Sequence, residues 1–183
     1  MAIFQRLRDV FYAVFFLVHL TATVLADAQL LFQRSLFPPA VVDFLNTYIK
    51  DYKDPLVGNN PVWFRSLLYF EVIAMTPFLV VGVFGALLGA RWMRTPSIIY
   101  STAVISMVVP MVGHLLFDDF KGFKVGPSTQ EERLTLLALY GGFALVALII
   151  LLDNVFFRAA PASGSGYQGK IGETGKHSQK KRN

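Results

Sequence analysis

Four apolar runs decide what this chain can become, because each is long enough to cross a hydrocarbon core of about 30 Å at a rise of about 1.5 Å per residue. They cover residues 10–31, 63–88 and 97–117, with a fourth that starts near Glu131 and Glu132 and ends at Phe157. Backbone in lipid must satisfy its own N–H and C=O groups, so runs of this kind form helices. The expected fold is all-α, a polytopic four-transmembrane-helix bundle, and a hydrophobic fraction of 54% agrees with it. Arg6 and Arg8 ahead of the first run, and Ala26-Asp27-Ala28 near its end, resemble a cleaved signal peptide. The run is longer than the apolar region of such a peptide and three further spans follow, so it is read as a retained helix.

The connections carry their own signals. About thirty residues separate the first two runs, too many for a tight turn between helices. Within them Val41, Val42, Leu45, Tyr48, Ile49 and Tyr52 recur at helical steps opposite Asp43, Asn46, Lys50 and Lys53. This predicts an interfacial amphipathic helix, started by Pro38-Pro39, lying along the membrane surface over the mouth of the bundle. Asp54 is then a structural or loop acid in a turn, and Gly58 to Pro61 complete the loop. Thr95-Pro96 reads as the cap and first residue of the third helix. Gly141-Gly142 is expected to permit close helix contact. Residues 10–157 thus form the membrane domain, and residues 158–183, rich in Gly, Ser and Lys, a disordered basic tail.

Orientation follows from charge. Of the 17 Lys and Arg residues, ten lie on the side of the termini and Arg91 and seven on the other, which favours cytosolic termini. Lys180 and Lys181 are placed like an endoplasmic reticulum retrieval signal, which is read on the cytosolic side. The net charge of +5 is spread between apolar segments, so it indicates topology and not nucleic-acid binding. The absence of Cys excludes disulfides, thiol nucleophiles and thiolate metal sites. No metal-ligand cluster, phosphate loop or nucleophile motif occurs, so neither metal nor cofactor is expected.

Against that background Glu71 is the anomaly. A carboxylate inside a spanning helix costs roughly 2.5 to 3.5 kcal/mol even on the lenient insertion scale, so it must face protein or a wet cavity. Pro77, six residues on, removes a backbone donor and favours a kink that makes room beside the acid. Counting depth from the non-cytosolic face puts Asp27 at about 7 Å, Glu71 at about 12 Å, Tyr140 at about 10 Å and His114 at about 5 Å, a polar layer in one half of the bundle. His19, Thr23 and Asp27 share one face of the first helix, with His19 deeper and bonded to the bundle. Two carboxylates in such a site repel, so they share a proton or hold a cation between them. With Met75, Met107, Tyr100 and Tyr140 around them, they suit an amphiphile with an apolar body and an amine or hydroxyl end.

The order FFLVHLTATVLADAQ, YKDPL, WFRSLLYFEV, MRTPSIIYS, LLFDDF and EERLTL closely resembles the EXPERA domain family of four-helix membrane proteins, over residues 10–157. The likeness is to its ligand-binding receptors more than to its sterol isomerases. It implies binding of sterols or oxysterols and cationic amphiphiles, residence in the endoplasmic reticulum or other endomembranes, and a part in cholesterol homeostasis or trafficking. A homodimer and a sterol-transport membrane protein as partner are further implications. On the resemblance Glu71 is the counter-ion to a ligand amine, Asp27 its hydrogen-bonded partner, Asp54 the loop acid associated with binding, and His19 the first-helix histidine. Three positions depart from the family pattern: Met75 stands for a glutamine, Met107 for a threonine and Phe143 for a tyrosine of the far pocket wall. The isomerases carry a His-x-x-x-Glu spacing, where this chain has Asp27 followed by Leu31, and a fourth-helix tryptophan that it lacks. A non-enzymatic binding protein is therefore expected, with sterol double-bond isomerase as the alternative and a membrane chaperone or trafficking adaptor as a third reading.

Overall fold

The computed structural model describes residues 2–158; the tail and its Lys180 and Lys181 lie outside the described residues. Four helices are long and apolar enough to cross a membrane: Ile3–Leu31, Val62–Leu87, Arg91–Phe117 and Gln130–Phe157. No strand occurs among the described residues. The first helix begins well before residue 10, because its charged leading turn finds partners on the ends of other helices. Arg6 Nη1 donates to the Leu87 carbonyl at 2.5 Å, Arg8 lies 3.5 Å from Asp153, and Asp9 lies 3.7 Å from Arg158.

The first span packs along the second and the third along the fourth, around a core that includes Phe16, Leu79, Tyr100, Ala147 and Ile150. Close approach is achieved at Gly82 and Gly85, where an added Cβ would stand 3.2 Å from the Phe16 ring and 2.6 Å from Met93 Sδ. The expectation for Gly141-Gly142 is corrected: nothing lies within 4 Å of a Cβ built at either position. These two glycines therefore mediate no close helix contact among the described residues.

Three spans contain a π turn, at Thr23–Asp27, Glu71–Met75 and Asp153–Phe157. The second follows from Pro77, whose missing N–H leaves the Ile73 carbonyl without its helical partner. The disturbance spreads toward the N-terminus, where the Thr76 N–H bonds the Glu71 carbonyl five residues back. Glu71 therefore projects from a widened turn. The third helix starts at Arg94, directly after a 3₁₀ turn Arg91–Met93, and not at the expected Thr95 cap. Arg94 fixes that start by donating to the Asn154 carbonyl at 2.9 Å and the Val155 carbonyl at 3.3 Å. Pro96 falls in the first turn, where its lack of an N–H does no harm.

The interfacial helix spans Pro39–Tyr52 and buries Leu45. It stops at Lys53, whose φ of 50° is left-handed. A short helix, Pro55–Asn59, replaces the simple loop, with Asp54 as its N-cap. The fourth span opens on a capping box between Thr129 and Glu132.

Candidate functional site

The second span's widened turn aims Glu71 into the bundle, where the carboxylate is buried. His19 Nε2 lies 2.8 Å from Glu71 Oε1, and Thr23 Oγ1 donates to the same oxygen at 2.6 Å. A carboxylate only accepts, so Nε2 carries the imidazole proton. The other ring nitrogen, Nδ1, is hydrogen-bonded to the Tyr100 hydroxyl. Tyr100 is itself held by its ring, stacked on Phe78 with centroids 4.9 Å apart. A chain of hydrogen bonds therefore runs from the third span through the first to the acid of the second. Both donors fall on Oε1; among the described residues none reaches Oε2.

Glu71 borders a cavity of about 500 Å³, within the size range of small-molecule sites. His19, Asp27, Met107, Tyr140 and Phe143 also border it, and most of its wall is aliphatic or aromatic. Val18, Leu25, Phe44 and Leu139 line it as well, yet all four are exposed on the outer surface of the protein. They belong to the first span, the interfacial helix and the fourth span. The cavity thus reaches the lipid-facing surface between these three elements.

The roof is built by Asp54, which is 0% exposed. Its Oδ1 accepts the backbone N–H groups of Leu56 at 2.9 Å and Val57 at 3.3 Å. Its Oδ2 accepts the hydroxyls of Tyr48 at 2.9 Å and Tyr140 at 2.7 Å. Both tyrosines border the cavity whereas Asp54 does not, so the loop acid acts by fixing the interfacial helix against the fourth span. Burial, followed by the Asp54 charge, pushes the Tyr48 phenol well above its ordinary range, so it remains a donor.

The expected polar layer is partly rearranged. Asp27 borders the cavity but makes no side-chain hydrogen bond among the described residues; the expected bond to Glu71 is replaced by those of His19 and Thr23. The π turn Thr23–Asp27 lies between these groups and breaks the four-residue register that keeps side chains on one face. Met75 is buried in the apolar core, and Tyr100 stands behind His19; neither borders the cavity. His114 is also elsewhere, because the loop after the third span folds over it. It packs between Trp63, Phe120 and Phe123, with centroids 5.5, 5.4 and 5.4 Å away, and Nδ1 lies 3.3 Å from Asp118. Tyr48 was not singled out from the sequence as a site residue. Its signal was a hydroxyl on the apolar face of the interfacial helix. Among the described residues no three His, Asp or Glu side chains are grouped to hold a metal ion.

The fold and the cavity together define a multi-pass helical membrane protein with an acidic, largely apolar chamber inside its bundle. Residues 40–154 match the family described as EXPERA, the expanded EBP superfamily. Similar proteins include Sigma intracellular receptor 2 of Xenopus tropicalis, 36% identical over 85% of this chain and 92% of the relative. The proteins of that name from Macaca fascicularis and Homo sapiens are each 37% identical; they cover 76% and 75% of this chain, and 82% and 81% of their own lengths. This chain belongs to the EXPERA family.

Proposed function

We propose that the chain is an intramembrane receptor-like protein that binds sterols, oxysterols and cationic amphiphiles in the chamber beside Glu71. One observation carries this reading: Glu71 Oε1 is committed to His19 and Thr23, while Oε2 has no donor among the described residues and the acid borders a chamber of about 500 Å³. An amine or hydroxyl on an apolar guest supplies the missing donor, and Asp27 adds a second acceptor. The rings of Tyr140 and Phe143 favour a cationic end. The receptor name of the relatives supports a non-enzymatic role. In this reading the protein resides in the endoplasmic reticulum membrane with both termini cytosolic, works as a homodimer in sterol homeostasis or trafficking, and has a sterol-transport membrane protein as a partner. Incubation of the purified protein with a photoreactive sterol tests it. Labelling should fall on residues bordering the chamber and be competed by a cationic amphiphile; labelling confined to the outer surface and indifferent to competitor would refute it.

A second reading, sterol double-bond isomerisation, gains from the hydrogen-bonded chain Tyr100, His19, Glu71, which has the reach for proton transfer. Asp27 followed by Leu31, and the absence of tryptophan from the fourth span, weigh against it. Expression in cells lacking the isomerase distinguishes the two: restored sterol processing that is lost on Glu71→Gln would establish the enzyme.

A further inference from the structure

A second concavity lies on the outer side of the interfacial helix, away from the chamber. It has a volume of about 420 Å³ and is bordered by Asn46, Lys50 and Lys53 on one wall and by Lys124, Gly126 and Ser128 on the other. Its charge is unbalanced. Glu132 is the acid at its edge, and that acid is already occupied: Oε1 takes the Lys53 ammonium, and Oε2 accepts the N–H groups of Ser128 at 2.7 Å and Thr129 at 3.2 Å. Among the described residues Lys50 and Lys124 have no acidic partner, and Asp43 and Asp51 of the same helix do not border the concavity. Arg34 brings a further cation to the rim, since its Nη1 donates to Asn46 Oδ1 at 3.0 Å.

The walls are held in place without help from a guest. Asn59 clamps the far wall: its amide donates to the Val125 carbonyl at 2.6 Å, while its Oδ1 accepts the Lys124 N–H at 2.8 Å and the Val125 N–H at 3.3 Å. Val125 packs so closely on Gly58 that a Cβ there would stand 2.7 Å from it. On the near wall Lys53 occupies a left-handed position, with φ of 50°, where glycine is the less strained residue. Its ammonium is paired with Glu132. Fixed walls, uncompensated ammonium groups and a place at the level of an interfacial helix together specify an anion.

We propose that this concavity is a binding site for a phosphate group, carried by the headgroup of an anionic phospholipid or free in solution, with Lys50 and Lys124 as its principal cations. The inference is independent of what the chamber binds. The full-length protein is purified in detergent, offered equal amounts of phosphatidylserine and phosphatidylcholine, and its retained lipids are counted by native mass spectrometry. In a parallel arm inorganic phosphate is titrated against lipid-free protein. Phosphatidylserine should be retained in preference, and the preference should fall about fivefold for each of Lys50→Gln and Lys124→Gln. Retention of the lipid without binding of inorganic phosphate assigns the headgroup; saturable phosphate binding lost in the double variant assigns the free anion. Lys121→Gln is the control, because its ammonium is 2.8 Å from Asp119 and does not border the concavity. No loss in either arm, or an equal loss on Lys121→Gln, overturns the proposal.

Discussion

Replacing Glu71 by Gln isolates the charge from the shape of the chamber. The side chain keeps its length, and its carbonyl can still accept from His19 and Thr23, which now lie 2.8 and 2.6 Å from Oε1. What disappears is the negative charge presented by Oε2. An ammonium about 4 Å from a carboxylate is worth about 4 kcal/mol at an effective dielectric constant of ~20, before its own desolvation is subtracted. Hydrogen bonds to charged groups contribute about 1.5–3 kcal/mol net, so a loss of about 2–3 kcal/mol is expected for an amine ligand. That corresponds to affinity weaker by roughly 30- to 150-fold. A neutral isostere with a hydroxyl in place of the amine should lose about 1 kcal/mol, roughly fivefold. Equilibrium binding of the matched pair to both proteins at neutral pH gives the comparison directly. Equal losses for amine and isostere, or an unchanged amine affinity, would show that the acid only supports the bundle.

Three further outcomes follow from the same geometry. Asp54→Ala removes the cap of the Pro55–Asn59 helix and strands the hydroxyls of Tyr48 and Tyr140, at a cost of about 3–5 kcal/mol, and should lower the thermal midpoint in detergent by roughly 6–20 °C. Thr23→Val deletes one of the two donors on Glu71 Oε1 while keeping the side chain's shape; it should change amine affinity more than affinity for the neutral isostere, measured by the same matched pair. Gly58→Ala forces a methyl against the branched Val125 side chain and should cost about 1–3 kcal/mol, whereas Gly141→Ala, with nothing within 4 Å, should leave the melting temperature of the monomer unchanged or slightly raised.

Local signals were sufficient for the parts of this protein that depend on the solvent around the chain. Lipid rewards only internally bonded backbone, so apolar length alone specified four helices, and the period of Leu45, Tyr48 and Ile49 specified the interfacial one. The cost of a buried carboxylate likewise marked Glu71 before any contact was known. Partnership was a different matter. Depth along a helix places Asp27, Glu71, Tyr140 and His114 in one half of the bundle, yet it fixes neither rotation nor the path of the loops. A π turn takes Asp27 out of register with Thr23, and the loop carrying Phe120 and Phe123 closes over His114. The identity of the groups that meet Glu71 was decided only when the first, second and third spans packed together. Sequence determines which residues cannot tolerate lipid, because that is a property of each side chain and its solvent; tertiary structure determines which of them find one another, because an inserted residue or a folded loop redirects a side chain without changing its depth.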